Sequence, residues 1–229
     1  MTNKKITVLT GAGISAESGL KTFRDANGLW EGHDVMSVAS PDGWRRDPQL
    51  VLNFYNLRRK QLLKASPNQA HYLLAGLQNK FEVSIITQNV DDLHERSGSK
   101  DVLHLHGELL KVVSCKDPAL IYPWKEDLKI GDRAGDGSQL RPFVVWFGEP
   151  VPMIEPAINK IRESDVLLII GTSLQVYPAA SLVQFLSDDV PVIYVDPSPT
   201  ISYELKSRRN LRIIKSPAST GVEQAIELL

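Results

Sequence analysis

The chain has 229 residues, 42% of them hydrophobic, and its 26 basic residues nearly balance its 27 acidic residues. This length is enough for one hydrophobic core and a small additional module, and the balanced charge gives no reason to expect a nucleic-acid partner. Because Cys115 is the single cysteine, an intramolecular disulfide and a zinc site with four thiolates from one chain are both excluded. The polar start of the chain and its short apolar runs predict a soluble protein of the reducing cytoplasm.

Short apolar runs alternate with helical patterns along the chain. Five runs that are apolar on both faces are expected to form strands at residues 6–10, 83–87, 102–105, 166–170 and 190–195. Helical patterns occupy residues 48–64, 68–78, 152–163 and 177–186. This alternation predicts an α/β fold with a doubly wound, Rossmann-like parallel sheet. Two irregular stretches, 21–46 and 115–141, interrupt the pattern and are expected to carry function or to form a small insert.

The first predicted strand runs into a glycine-rich turn, with Gly11, Gly13 and Ala16 in a Gly-x-Gly-x-x-Ala spacing. In dinucleotide-binding folds such a turn brings the backbone close to a pyrophosphate at the start of a helix. A glycine turn without any ligand is the alternative. No acidic residue ends a second strand about twenty residues later, which argues against hydride transfer.

Polar side chains follow three of the predicted strands, at the sheet edge where such folds bind ligands. These are Gln88, Asn89 and Asp91 after the second run, Gly171, Thr172 and Ser173 after the fourth, and Asp196 after the fifth. Amides, carboxylates and hydroxyls there suit ribose or phosphate. The alternatives are that residues 89–92 only cap a helix and that Asp196 only forms a turn before Pro197.

Two histidines lie two residues apart, His104 and His106. On an extended segment they would point to opposite faces, which makes them poor joint ligands for one metal. One of them can then face a cleft as a general base while the other packs, although a purely structural role is the alternative for either. Further along, the apolar segment 144–149 is predicted to pair with a substrate backbone or to be an ordinary buried edge strand.

Together and in this order, these segments resemble the sirtuin family. The matching segments are 11–19, 22–24, 28–30, 87–91, 104–107, 144–149 and 171–173. The resemblance implies an NAD-dependent protein lysine deacylase in a single catalytic domain, which transfers the acyl group to ADP-ribose and releases lysine, nicotinamide and O-acyl-ADP-ribose. It implies a large part made of residues 1–30, 80–112 and 142–229, and a small module made of residues 31–79 and 113–141.

The resemblance also assigns roles to individual residues. The expected NAD-binding residues are Gly11, Ala12, Gly13, Ser15, Ala16, Phe23, Arg24, Gln88, Asn89, Asp91, His106, Gly171, Thr172, Ser173 and Asp196. Phe23 and Arg24 belong to a loop that covers NAD, and His106 acts as general base on a ribose hydroxyl, with Gln88 and Asn89 beside it. The acylated lysine enters between the two parts of the chain, beside Val145, Phe147 and Gly148.

The sequence departs from the family pattern in two places. Family members usually carry a zinc module with two cysteine pairs, whereas residues 115–141 hold one cysteine, so we expect no bound metal. Tyr122, Trp124 and Leu128 are expected to form an apolar cluster in its place. Asp196 stands where the family often has Asn, and adds a charge beside the ribose.

The acyl group is predicted from one helix. Tyr55 and Arg58 are three residues apart, which places both on one helix face, where a phenol and a guanidinium can receive a carboxylate. For such a pair by itself, the alternative is that Tyr55 packs in the core and Arg58 is solvated. Sirtuins that remove succinyl and malonyl groups carry this Tyr-x-x-Arg pair, and an Ala before Pro that is matched here by Ala39 and Pro41. Acetyl-, succinyl- and malonyl-lysine in proteins or peptides are therefore the expected substrates of a monomeric enzyme. The alternatives are a sirtuin-like mono-ADP-ribosyltransferase and a non-catalytic NAD sensor.

Overall fold

The computed structural model describes residues 4–21, 29–30 and 32–229. Its strands are β1 (Lys5–Thr10), β2 (Leu29–Trp30), β3 (His33–Asp34), β4 (Glu82–Thr87), β5 (Val102–His104), β6 (Gly107–Ser114), β7 (Ile121–Pro123), β8 (Leu140–Val144), β9 (Val166–Ile170), β10 (Val192–Val195) and β11 (Leu211–Ile214). Its α-helices are α1 (Val35–Val38), α2 (Pro41–Arg46), α3 (Pro48–Lys64), α4 (Gln69–Leu77), α5 (Leu93–Arg96), α6 (Ile154–Arg162), α7 (Tyr203–Lys206) and α8 (Ala218–Ile226). None of the helices in these residues is both long and apolar enough to cross a lipid bilayer.

Six strands form one parallel sheet in the order β11-β10-β9-β1-β4-β5. From β1 the chain first winds outward through β4 and β5, and later returns to the other side through β9, β10 and β11. The order therefore reverses between β1 and β9, and in such sheets ligands bind in the crevice at this switch point, beyond the carboxyl ends of the strands. The predicted doubly wound α/β fold is confirmed.

The sheet is covered on both faces. In β9, Leu167 and Ile169 pack into one hydrophobic cluster, whereas Leu168 and Ile170 pack into the cluster on the opposite face. All four side chains are fully buried. A strand buried on both faces needs apolar residues at every position, which explains why these strands read as unbroken apolar runs rather than as alternating patterns.

Helix α3 has the bounds that its sequence pattern predicts, and α4 follows the cap residue Asn68, whose Oδ1 accepts a hydrogen bond from Ala70 N at 3.0 Å. Two segments differ from the expectation of α-helix. The chain forms 3₁₀ helices at Ala12–Ser18, directly after the glycine turn, and at Ala179–Phe185. Residues 145–149 are also not a strand, because β8 ends at Val144.

A second, three-stranded antiparallel sheet has the order β7-β6-β8. It packs on α3 through the cluster Leu52, Val112, Leu128, Ala134 and Leu140, with Trp44, Leu120, Tyr122 and Trp124 at its edge. The expected cluster of Tyr122, Trp124 and Leu128 is therefore confirmed. Strands β6 and β8 run across the predicted boundaries at residues 112 and 142, and the division into a large part and a small module stays a prediction.

The side chains near this small sheet do not fit the family's zinc. Cys115 is the one thiol of the chain, Asp127 pairs with Lys60 at 2.7 Å, and Asp117 accepts a hydrogen bond from Ala119 N. In the part of the chain that the structure describes, no three His, Cys, Asp or Glu side chains lie close enough to hold a metal ion. The absence of zinc from the protein stays a prediction.

Candidate functional site

A cavity of about 1140 Å³ opens at the switch point, beyond the carboxyl ends of β1, β4, β9 and β10. Most of the residues expected to bind NAD line it: Gly11, Ala12, Gly13, Ser15, Ala16, Gln88, Asn89, Asp91, His106, Gly171, Thr172, Ser173 and Asp196. The expected substrate residues Ala39, Tyr55, Arg58, Val145, Phe147 and Gly148 line the same cavity. Phe23 and Arg24 lie outside the described residues. The fold thus brings together side chains from both ends of the sequence.

The glycines at the base of the cavity are required because two strand ends touch there. Gly13 N donates a hydrogen bond to Gly171 O at 2.8 Å, and a Cβ on Gly13 would lie 2.7 Å from Gly171 Cα. Gly171 itself has a φ of 61°, a left-handed conformation that favours glycine. The amide of Gly13 is thus used within the protein, and the close approach that its missing side chain permits is that of β1 to β9.

A hydrogen-bond network fixes the polar groups that follow β4. Asn89 Nδ2 donates to Gly11 O at 3.1 Å and to Ser15 Oγ at 3.2 Å, and Ser15 Oγ donates to Asp91 Oδ2 at 3.0 Å. Asp91 is buried, and burial raises the pKa of its carboxyl group, although the hydrogen bonds from Ser15 and from Leu93 N oppose the shift. The alternative that residues 89–92 cap a helix is confirmed in part, because Leu93 N at the start of α5 donates a hydrogen bond to Asp91 Oδ1.

Gln88 and Asp196 line the cavity and also form hydrogen bonds within the protein. Gln88 Nε2 donates to Thr172 Oγ1 at 2.9 Å, which ties the end of β4 to the end of β9. Asp196 is buried and its Oδ1 accepts the backbone N–H of Ser198, so it forms the turn after β10 as well as facing the cavity. This set of carboxylates, amides and hydroxyls fits a molecule with ribose hydroxyls, such as a dinucleotide.

The two histidines have different surroundings. His106 lines the cavity, and its Nδ1 lies 3.0 Å from Gln88 O. A carbonyl oxygen only accepts, so Nδ1 carries the proton and Nε2 keeps a free lone pair. Burial lowers the pKa of His106, which favours this neutral form near pH 7.

His104 binds elsewhere, with Nδ1 2.9 Å from Asn89 O and Nε2 2.7 Å from Glu95 Oε1. Burial would lower the pKa of His104, but the hydrogen bond and negative charge of Glu95 outweigh it and raise the pKa above its ordinary value. The prediction that His104 and His106 point in different directions is confirmed, but the extended segment on which it was based is wrong in part. β5 ends at His104, and the chain turns at Leu105 and His106 instead of continuing as an extended segment.

The far end of the cavity is built by α3 and by the segment after β8. Tyr55 is fully buried on α3, and its phenol oxygen accepts a hydrogen bond from Trp146 Nε1 at 3.0 Å. Burial raises the pKa of Tyr55 far above its ordinary value, so the phenol keeps its proton. Arg58 lies one turn further along, with its Cζ 5.8 Å from the centre of the Phe54 ring.

Backbone hydrogen bonds hold the segment after β8 against the cavity wall. Val145 N donates to His106 O and Phe147 N donates to Ala39 O, each at 2.9 Å. Glu149 closes the segment by accepting from Trp146 N at 2.8 Å. The fixed segment 145–148 therefore follows one wall of the cavity, next to the turn that carries His106.

Sequence reasoning missed part of the lining. Pro217 and Ala218, at the start of α8, face the cavity, and Glu17 caps this helix by accepting from Ser219 N at 2.8 Å and from Ser219 Oγ at 2.6 Å. Neither β11 nor α8 was predicted. A Pro followed by small hydroxyl residues is the one helix-start signal that the sequence offers there.

The chain is similar to known proteins over most of its length. The Sir2 family model matches residues 11–178. An NAD-dependent protein deacylase of Helicobacter pylori is 61% identical over 194 residues, which cover 85% of each chain. An NAD-dependent protein deacylase of Bacteroides thetaiotaomicron is 52% identical over 232 residues, covering 99% of this chain and 98% of the relative. A solved structure of a Sir2 homolog in complex with NAD superimposes with a TM-score of 0.87 at 35% identity, covering 99% of this chain and 89% of the other.

Proposed function

This chain belongs to the Sir2 family and is an NAD-dependent protein deacylase, and we propose that it removes succinyl and malonyl groups from lysine side chains as well as acetyl groups. NAD supplies the bond between ribose and nicotinamide that breaks and the ADP-ribose that receives the acyl group. We propose O-acyl-ADP-ribose, nicotinamide and free lysine as the products, with one water molecule consumed as the lysine nitrogen is released. The first step depends on orientation, because an amide oxygen is a poor nucleophile and needs close, fixed contact in a site that excludes bulk water.

The proposed general base is His106. Its Nδ1–H is held by Gln88 O at 3.0 Å, so the neutral ring directs the basic Nε2 away from this anchor. Its lowered pKa keeps Nε2 unprotonated at neutral pH, as a base that takes a proton from a ribose hydroxyl requires. Gln88 and Asn89 are proposed to hold the ribose and nicotinamide beside it, since the bonds to Thr172 and Gly11 fix both amides.

The observation that carries the proposed acyl specificity is the presence of Tyr55 and Arg58 in one wall of the cavity. A phenol that keeps its proton donates one hydrogen bond, and a guanidinium adds a positive charge and a planar set of donors. Together they match a carboxylate at the end of a short acyl chain. An acetyl group ends in a methyl and gains nothing from this pair. Ala39, on the segment before α2, lines the same cavity, and its small side chain is proposed to leave room for the longer chain.

The test is turnover of matched peptides. Purified protein is incubated with NAD and one peptide that carries acetyl-, succinyl- or malonyl-lysine, and the peptide mass and nicotinamide release are followed. Loss of the acyl mass with equimolar nicotinamide supports the proposal. A gain in protein mass by ADP-ribose, with the peptide unchanged, would instead identify a mono-ADP-ribosyltransferase, and the absence of both changes would identify a sensor.

A pair of variants separates acyl recognition from catalysis. Arg58→Met keeps the bulk and removes the charge, and we expect it to cost about 1.5–3 kcal/mol in kcat/KM for the succinyl peptide, the scale of a hydrogen bond to a charged group. The loss for the acetyl peptide should be much smaller. Lys60→Met is the control, because Lys60 is an exposed cation on the same helix that pairs with Asp127. Equal losses on both peptides, or no succinyl activity in the wild type, would contradict the acyl assignment.

The setting of the enzyme is also proposed. A single cysteine and the lack of any expected disulfide are typical of a protein that works in the reducing cytoplasm. We propose that the chain acts as a monomer on acylated lysines of proteins or peptides, with no nucleic-acid or membrane partner. Size-exclusion chromatography with light scattering measures the assembly state directly.

A further inference from the structure

The phenol of Tyr55 has a defined hydrogen-bond direction. Trp146 Nε1–H donates to its oxygen at 3.0 Å, so the phenol is the acceptor in this contact. An indole nitrogen only donates, and a phenol carries one proton, so that proton has to point away from Trp146. Within residues 4–21, 29–30 and 32–229, no hydrogen bond uses it. A fully buried donor without an acceptor is costly, and the cavity that Tyr55 lines is the place where a ligand can supply one.

The indole of Trp146 is itself held rigidly. Its ring is buried, and the guanidinium of Arg141 stacks over it with Cζ 4.3 Å from the ring centre. Glu149 binds Arg141 at 2.9 Å and accepts from the backbone N–H of Trp146 at 2.8 Å. Backbone and ring are thus fixed by one ion pair. The N–H that reaches Tyr55 consequently has one direction.

We propose that Trp146 is a positioning residue for acyl selectivity, which turns the phenolic O–H of Tyr55 into the cavity so that it donates to the carboxylate of a succinyl or malonyl group. This inference rests on the proposed acyl specificity. Trp146 makes no contact with the carboxylate in this scheme and acts only through Tyr55. Its donation also polarises the phenol, because hydrogen bonds in a chain strengthen one another.

The size of the effect follows from what Trp146→Phe removes. The variant keeps an aromatic ring under Arg141 but loses the N–H, so the phenol of Tyr55 is free to rotate its proton away from the ligand. The loss of one oriented hydrogen bond should lower the ratio of succinyl to acetyl kcat/KM about three- to tenfold. The change should lie mainly in KM for the succinyl peptide, because the carboxylate is remote from the carbon that reacts.

The experiment is a double-mutant cycle between Trp146→Phe and Tyr55→Phe, read as that ratio. If Trp146 acts through the phenol, Trp146→Phe lowers the ratio in the wild-type background and leaves it unchanged once Tyr55→Phe is present. An equal drop in both backgrounds, or no drop in either, would overturn the inference and leave the proposed acyl specificity standing. A wild-type protein without succinyl activity would refute the two together.

A second replacement guards against misfolding of the Phe variant. Replacing Trp146 by its benzothiophene analogue keeps the shape of the indole and exchanges the N–H for sulfur, so the packing under Arg141 is preserved. The same drop in the selectivity ratio is expected. A benzothiophene protein with the wild-type ratio would show that the N–H is irrelevant and would also overturn the inference.

Discussion

One side chain, Asn56, ties α3 to the small antiparallel sheet region. Its Nδ2 donates to Leu128 O and its Oδ1 accepts from Leu128 N, both at 2.9 Å, so it binds the backbone of one residue on both sides. The same Oδ1 accepts from Arg59 Nη1 at 2.8 Å. Asn56 and Leu128 are both buried and lie 72 residues apart in the chain. We predict that Asn56→Ala strongly destabilises the fold.

The magnitude follows from these three bonds. The two bonds to Leu128 join neutral groups, and each contributes about 0.5–1.5 kcal/mol, whereas the bond from the Arg59 guanidinium contributes about 1.5–3 kcal/mol. After truncation, the N–H and C=O of the buried residue Leu128 both lose their partner. We therefore expect the free energy of unfolding to fall by about 3–5 kcal/mol.

Asn53→Ala is the matched control. Asn53 lies one turn earlier on α3, is exposed, and accepts one hydrogen bond, from Gln49 Nε2 at 2.9 Å. Such a surface pair contributes about 0.2–0.5 kcal/mol, and both substitutions gain the same helix propensity from Ala. Equilibrium unfolding in urea, followed by tryptophan fluorescence, measures both variants. If they differ by less than about 1 kcal/mol, the usual range of surface substitutions, the bridging role of Asn56 is refuted.

Three further predictions concern catalysis, metal and pH. His106→Ala should abolish deacylation with the fold intact in circular dichroism. His104→Ala, which loses the contacts with Glu95 and with Asn89 O, should be milder. Turnover of the His106 variant within a few-fold of wild type would remove this residue from the mechanism. Elemental analysis of untagged protein should find no stoichiometric zinc, and a chelator should leave activity unchanged, whereas one zinc per chain would contradict the prediction. Burial lowers the pKa of His71 to about 4, against an ordinary 6.5, so the unfolded chain takes up the proton before the folded chain does. The contribution of the neutral histidine to the free energy of unfolding is therefore fully present above pH 6.5 and is lost as the pH falls from 6.5 toward 4, by up to about 3 kcal/mol. His71→Gln should flatten this part of the plot of unfolding free energy against pH, and an unchanged slope would exclude the histidine as its cause.

The structure corrects the sequence-based predictions in identifiable places. Strand β11 was missed because it lies at the edge of the sheet, where Leu211 and Ile214 are half-buried and the residues between them exposed, so no unbroken apolar run marks it. The glycine-rich segment was expected to lead into a helix start, and the structure forms a 3₁₀ helix at Ala12–Ser18, in which Gly13 N donates to Gly171 O on the neighbouring strand end. The pattern of apolar and polar residues along a segment does not indicate contacts with residues that are distant in the chain.

The sequence by itself determined the fold class and the order of the chemically active segments. Strands buried on both faces need continuous apolar residues, and turns at the ends of β1 and β9 need glycine, so both requirements are written locally in the chain. Only the tertiary structure decided how the segments meet. Tyr55 and Trp146 are 91 residues apart, and neither residue signals the other. Their hydrogen bond exists because α3 and the segment after β8 pack on the same wall of the cavity, a consequence of sheet order and packing that no local periodicity encodes.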